Sequence, residues 1–461
     1  MEQAKETFFT HDREFYRSLL PIFLTIALQN LVAYSVNMAD NIMLGSYRQS
    51  ALSGAATVNQ IFFVVQSLSI GVSEGLAVLV TQYWGAKNVR PIRCLTGIAL
   101  KLDLLLGALV LALCALFPAQ LVGLFTRDGA IIREGAAYLE LIKNSFVLFL
   151  LTQTLITALR SVETVRISFY ISIVSLVVNV GVNYTLIFGR FGFPELGARG
   201  AAIGTLTARA LELVIVLAYL LRFDKKLRLF SENFLRRDGA LLRDYIRVEV
   251  PVMLSQMVWA VSVPMQTAIL GHLSSDAIAA NSVATTFYQY LKVIVQAMSA
   301  ACSVMTGIAV GRGDMRRVRS DARTLSVLSV AVGLVLGAAL LILRRPLLSL
   351  YALTPETIRL ADQLLALMAV IMVGMSYQMP VSAGIIRGGG DAKFLMVLNT
   401  VSVWAIVMPL SFMSAFWWHW PVVAVVAVIQ SDQVFKCLPV FLHFRKYRWA
   451  RKLTRPAGET D

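Results

Sequence analysis

Charge is scarce in this chain: Asp, Glu, Lys and Arg make up 15% of 461 residues, against 57% apolar ones, and mean hydropathy is +0.69. That balance leaves too little polar surface for a soluble protein of this length. Cysteine is scarce too. Cys94, Cys114, Cys302 and Cys437 are scattered without metal-ligand spacing, so they read as small packing residues and no metal centre is expected. The sequence lacks a GxxxxGK[ST] nucleotide loop and an HExxH zinc helix, which leaves ion gradients rather than ATP as the energy source. No cleavable signal peptide is expected, because the first apolar stretch is too long and lacks a small-residue cleavage pattern. Gly71-Val72-Ser73-Glu74-Gly75 has the GxSxG spacing, but a hydrolase elbow needs a strand–turn–helix setting. Inside an apolar helix, Gly71 and Gly75 read instead as a close-packing face. An enzyme is therefore not expected, nor an organic cofactor.

What is present is apolar sequence in lengths of about 20 residues, each enough to cross a bilayer core roughly 30 Å thick. Six such stretches lie near 19–44, 54–83, 96–117, 136–158, 167–188 and 200–221, and six more near 249–270, 277–309, 324–343, 361–384, 394–416 and 421–443. The fold class is thus an all-α polytopic membrane protein with twelve transmembrane helices. The formal charge of +15 is topology rather than a nucleic-acid surface. With both termini cytoplasmic, inner segments hold Lys87, Arg90, Arg93, Arg160, Arg166, the basic run 222–247, 312–323, Arg387, Lys393 and the run 445–455, whereas outer loops hold few basic residues. This positive-inside pattern predicts a multi-pass plasma-membrane (inner-membrane) protein in contact with lipid headgroups.

One carboxylate lies deep in the first stretch. An aspartate at the centre of a membrane helix costs about 2.5–3.5 kcal/mol, and such a residue is a functional candidate by default. Ile26, Asn30, Ala33, Asn37 and Asp40 recur at three-to-four spacing, so Asp40 belongs to a polar stripe that must face protein or water. The alternative is a helix-end residue reaching the membrane interface.

The chain repeats. Gly45 and Gly271, Ala51 and Ala277, Gly85 and Gly311, Arg90 and Arg316, Arg93 and Arg319, and Leu121 and Leu347 are each 226 residues apart. The single long polar interior segment divides a six-helix bundle at 1–221 from another at 247–443, with a cytoplasmic linker at 222–246 and a basic cytoplasmic tail at 444–461. Leu227, Leu229, Phe230, Phe234 and Leu235 among basic residues predict an interfacial helix in that linker. Such repeats mark secondary transporters. At the same offset Asp40 corresponds to Gln266, and the fifth-span polar face of Ser172, Ser175, Asn179 and Asn183 meets apolar counterparts around Ile406 and Leu410. Ionisable chemistry is expected in the first half.

With Pro21 and MADNIMLG at 38–45, TQYWGAKN at 81–88, LRSVET at 159–164, NVGVNYTLIFG at 179–189, LGARGAAIGT at 196–205 and IRGGGDAK at 386–393, the chain resembles the multidrug and toxic compound extrusion (MATE) family over nearly its whole length. It is nearer the DinF-like branch. The resemblance implies two pseudo-symmetric six-helix bundles forming a V-shaped cleft, alternating access, and export of amphiphilic organic compounds, often cations, by antiport with protons or sodium. It also implies a cation-coupling site at Asp40, Asn179, Asn183 and Thr205. The branch often has an aspartate where this chain has Asn183, and the acidic seventh-span residue of the NorM-like branch is missing, since Glu249 precedes Pro251. A carboxylate, amide oxygens and a hydroxyl are hard ligands that suit sodium at Asp40, Asn179 and Asn183, or a proton. The alternative within the superfamily is a lipid-linked oligosaccharide flippase, which should show several cationic cleft residues where this chain offers chiefly Lys292.

Candidates for the substrate cleft are Asn37, Met257, Trp259, Gln266, Tyr288, Gln289, Lys292, Gln296, Tyr377 and Gln378, a set of aromatic, amide and methionine surfaces suited to varied ligands. The expected partners are small amphiphilic substrates and membrane lipids, with no nucleic acid and a monomeric state.

Overall fold

The computed structural model describes residues 9–10, 12–231, 234, 238–273, 275–349, 351 and 354–455. Among the described residues, twelve helices are long and apolar enough to cross a membrane, and there is no strand. The first half runs α1 (Arg13–Tyr47), α2 (Gln49–Gly85), α3 (Val89–Leu116), the short α4 (Pro118–Gly123), α5 (Gly129–Ser161), α6 (Arg166–Ile187) and α7 (Ala198–Arg222). The second runs α8 (Gly239–Gly271), α9 (Ser275–Arg312), α10 (Met315–Leu348) and α11 (Pro355–Met379), then an eleventh and a twelfth span built from shorter pieces. Large side chains such as Leu105, Leu221, Val335 and Ile342 are mostly exposed. In water that would be costly; on a helix facing lipid it is the expected surface.

Helix starts follow capping chemistry. Asp128 accepts from the N–H groups of Ala130 and Ile131 to begin α5, Asp314 from those of Arg316 and Arg317 to begin α10, and Thr354 from that of Thr357 to begin α11. Each satisfies donors that the first helical turn leaves unpaired.

The chain divides into two compact units. One comprises Leu28–Val80, Asn88–Glu249 and Arg455–Asp461; the other comprises Met1–Ala27, Thr81–Lys87 and Val250–Thr454. The core of the first is formed by residues such as Val58, Leu139, Phe146 and Ile187. That of the second includes Leu364, Met368, Met372 and Val425.

Within the second unit the internal repeat becomes a contact. A Cβ on Gly85 would overlap the carbonyl of Ile308, and a Cβ on Gly311 would overlap the carbonyl of Gln82. Gln82 and Ile308 are themselves separated by the repeat offset, so the two glycines make the same contact in reciprocal form. Only a residue without a side chain lets the backbones meet this closely.

The second unit is also where regular helix gives way. α11 continues through a π-helical stretch at Pro380–Ile386, and the eleventh span passes from α12 (Ala392–Thr400) through π-helical Val401–Val407, α13 (Met408–Phe412) and π-helical Met413–Trp417. The twelfth span breaks at Gln430 and Ser431 between α14 (Val422–Ile429) and the short α15 (Asp432–Phe435), then resumes as α16 (Cys437–Arg445). After it the chain turns back: Trp449 is fully buried and its indole donates to the Phe444 carbonyl at 3.0 Å.

The linker corrects one expectation. Among the described residues of 223–238 there is no helix. Asp224 accepts from the N–H groups of Lys226 and Leu227 at 3.0 and 3.1 Å, closing a turn of the kind that competes with helix, and Arg228 has φ of 45°. Leu227 and Leu229 are fully buried, while Arg93 donates to the Leu227 carbonyl at 2.7 Å and Lys226 to the Val162 carbonyl at 3.0 Å. Leu227 and Leu229 therefore face protein rather than a membrane surface, while Phe230 is exposed. Leu235 lies outside the described residues.

Candidate functional site

Three helices of the first unit bring the four coupling candidates together. Asn179 and Asn183 sit one turn apart on α6, so their side chains share a face. That face approaches α7 closely because α7 presents glycines to it: a Cβ on Gly200 would meet the Leu186 carbonyl at 2.7 Å, and one on Gly204 would overlap Oδ1 of Asn183. Asn183 then donates from Nδ2 to Asp40 Oδ1 on α1 at 2.6 Å and to Asn179 Oδ1 at 3.2 Å, and Asn179 donates to Thr205 Oγ1 at 3.4 Å. A chain of side chains thus links the carboxylate to the α7 hydroxyl. Asn179 and Asn183 are buried at 1% and 0% exposure, yet Oδ1 of Asn183 has no hydrogen-bond partner.

Asp40, Asn179 and Thr205 line a cavity of about 190 Å³ that also takes in Asn30, Ala33 and Asn37 of the predicted α1 stripe and Ser172 and Ser175 of the α6 polar face. Drug-sized pockets run to about 300–1,000 Å³, so this space suits an ion with a few waters better than a large substrate. Its lining holds a group that sequence reasoning missed. Arg209 on α7 donates to Glu212 at 2.9 Å, lies 4.8 Å from the centre of the Phe149 ring and acts electrostatically on Asp40. The signal was present as two opposite charges three residues apart in the otherwise apolar sixth span. Two acids and one base line the cavity, which therefore carries one net negative charge when all are ionised.

Asn37 apart, the substrate candidates belong to the second unit. Met257 is exposed, and Trp259, Gln266, Gln289, Lys292 and Gln296 are partly exposed. Lys292 Nζ sits 5.0 Å from the Trp259 ring centre, a cation–π distance. Tyr288 is 4% exposed and donates to Met375 Sδ at 3.0 Å, so it faces the packed core rather than sharing an open face with Lys292. Gln378 is buried within a polar network: it donates to Gln433, which donates to Asp432, which pairs with Lys436 at 2.7 Å. Lys436 also donates to Asn399, and Asn399 to Ser255. Tyr377 is partly exposed, with an unpartnered hydroxyl. Glu249 is 2% exposed inside α8.

Among the described residues, twelve apolar helices, a six-plus-six repeat and a small charged cavity inside one unit have the character of a polytopic membrane transporter. The chain belongs to the MatE family, whose model matches residues 25–185 and again 251–413; the two matches begin one repeat offset apart. It is 25% identical to the probable multidrug resistance protein YoeA of Bacillus subtilis, over 86% of this chain and 85% of that protein. It is 24% identical to the probable multidrug resistance protein NorM of Thermotoga maritima, over 96% and 95%. A solved structure of the Vibrio cholerae MATE transporter VcmN has a TM-score of 0.86 at 16% identity, covering 95% of this chain and 98% of that one. A transporter of the MOP superfamily from Pyrococcus furiosus has a TM-score of 0.84 at 15% identity, covering 99% and 100%. The fold is that of a MATE transporter, and the protein is not an enzyme.

Proposed function

We propose that the protein is a secondary active efflux transporter that exports amphiphilic organic compounds, often cations, by antiport with protons or sodium ions. The observation that carries this reading is Asp40, held at 2.6 Å by Asn183 in a cavity with net negative charge. Such a site binds a small cation or a proton, and the Asn179 amide oxygen and Thr205 hydroxyl, which line the cavity beside Asp40, are hard ligands for one. The names of the relatives, probable multidrug resistance proteins, support the substrate class. Coupling requires the ion to favour one conformation over the other, since a ligand binding both equally shifts nothing. In this reading the ion contacts groups on α1, α6 and α7, so its binding biases how those helices pack.

The positive-inside pattern supports a cytoplasmic location for both termini and the 222–246 linker in the plasma membrane. Reaction of a Ser231→Cys variant with an impermeant thiol reagent in intact cells would reverse that orientation. The transport reading is tested by counterflow of a cationic dye in proteoliposomes, with a proton or a sodium gradient imposed separately. Dye movement driven by one gradient is expected, and movement indifferent to both would rule out antiport.

A further inference from the structure

A second pair of acids lies buried in the first unit, apart from the Asp40 cavity. Asp103 on α3 is 0% exposed, and the hydrogen-bonding group at its carboxyl is the neutral hydroxyl of Thr154 on α5, not a cation. It lies one turn from Gly107, whose bare Cα packs against Val147 and Leu150 of α5. The same helix pairing sets it facing Thr154, whose hydroxyl is 3.3 Å from that of Ser73 on α2. The charge that acts on Asp103 is that of Glu249 on α8. Glu249 is 2% exposed and its Oε1 is unpartnered. It enters this interior because Gly75 leaves room: a Cβ there would stand 2.9 Å from the Cα and Cβ of Glu249. One turn earlier Tyr245, fully buried, donates to the Val72 carbonyl at 3.0 Å and lies within electrostatic reach of both acids.

The surrounding charges are committed elsewhere. Glu74 on α2 acts on Arg160 of α5, and Asp244 on α8 is bonded to Arg455 at 2.6 Å. Lys101, Arg243 and Arg247 are exposed. Among the described residues, no cation pairs with Asp103 or Glu249. An unpaired buried ion costs several kcal/mol, and burial of both carboxyl groups together with their mutual repulsion opposes ionising the two at once.

We propose that Asp103 and Glu249 form a second proton-binding site, the two carboxyl groups together retaining at least one proton that titrates as a property of the pair. Glu249 is the last α8 residue of the first unit, with Val250 opening the second and Pro251 next. A proton bound there therefore acts on α8 at the point where the chain passes between units and where proline has already removed a helical hydrogen bond.

The test is pH-difference infrared spectroscopy of the full-length protein in lipid nanodiscs, reading the carbonyl band of protonated carboxyl groups. In an Asp40→Asn background a band is expected to remain. It should vanish when Asp103→Asn and Glu249→Gln are added together, and change in position or intensity with either alone. Having two single variants keeps the test intact if one fails to fold. An Asp40→Asn spectrum with no protonated-carboxyl band, or one unchanged by the added substitutions, would overturn the proposal. So would displacement of the band by sodium chloride at fixed pH, which would make the pair a metal-cation site. Because the readout is protonation and not transport, its failure leaves the efflux reading untouched.

Discussion

Asn183 gives Asp40 a hydrogen bond of 2.6 Å while turning its own oxygen toward the bare Cα of Gly204. The resemblance to the DinF-like branch implied an acid at this place, where the chain has an amide. A donor thus stands where a second negative charge would otherwise stand, and Arg209 adds a positive one. Asp40 is left as the one acid at the cavity not already paired with the Arg209 guanidinium, since Glu212 takes that hydrogen bond.

Asp40→Asn should therefore abolish gradient-driven export while leaving membrane insertion intact. Gln266→Ala, at the repeat-related position in the second unit, should leave coupling in place and alter substrate affinity at most. Counterflow under an imposed ion gradient distinguishes them. Equal loss of coupling in both variants would remove the assignment of ion chemistry to the first half.

Gly204 sets the position of Asn183, so Gly204→Ala should act on the site without touching Asp40. The added methyl overlaps Asn183 Oδ1, and overpacking of this kind costs about 1–3 kcal/mol. Gly181→Ala on α6 is the control, because a Cβ there meets nothing within 4 Å. Replacing a helical glycine by alanine stabilises by roughly 0.5–1 kcal/mol when nothing clashes. Thermal unfolding in detergent, alongside counterflow, should show opposite signs for the two variants.

The spans and the repeat are legible in the sequence because a bilayer demands apolar runs of fixed length, and the family match begins at the same 226-residue offset that the paired glycines show. Asp40, Asn179 and Asn183 stand out because a carboxylate and two amides are costly on helices in hydrocarbon unless they face one another or a cavity. Asp103 does not stand out, although it sits in an equally apolar stretch. No polar stripe accompanies it on α3, and its neighbours arrive from α2, α5 and α8. The linker is ambiguous in the sequence because apolar residues spaced among basic ones are shared by an interfacial helix and by a strap whose leucines plug into protein. The turn at Asp224 and the carbonyl contacts of Arg93 and Lys226 decide between them.

The buried pair of Asp432 and Lys436, at 6% and 4% exposure and 2.7 Å apart, should behave as a matched set. Removing one partner leaves an uncompensated buried charge, which costs about 3–5 kcal/mol. Lys436→Met alone should lower the unfolding temperature sharply, and adding Asp432→Asn should recover most of the loss. A double variant no more stable than Lys436→Met would mean that the bonds from Lys436 to Asn399 and onward to Ser255 carry the stability instead.

Lys292 poses the question of substrate charge. Its ammonium lies over Trp259 at 5.0 Å, and the acid that acts on it, Asp432, is already bonded to Lys436. A partly exposed cation without an acid of its own repels organic cations and attracts anionic or zwitterionic groups. Lys292→Met should therefore widen acceptance of cationic dyes such as ethidium, with the ring of Trp259 freed to receive the dye's own charge. Counterflow of ethidium against a zwitterionic competitor reads the change: cation affinity should rise and competition should weaken. Unchanged dye transport together with a lowered unfolding temperature would show that the lysine only braces α9 against α8.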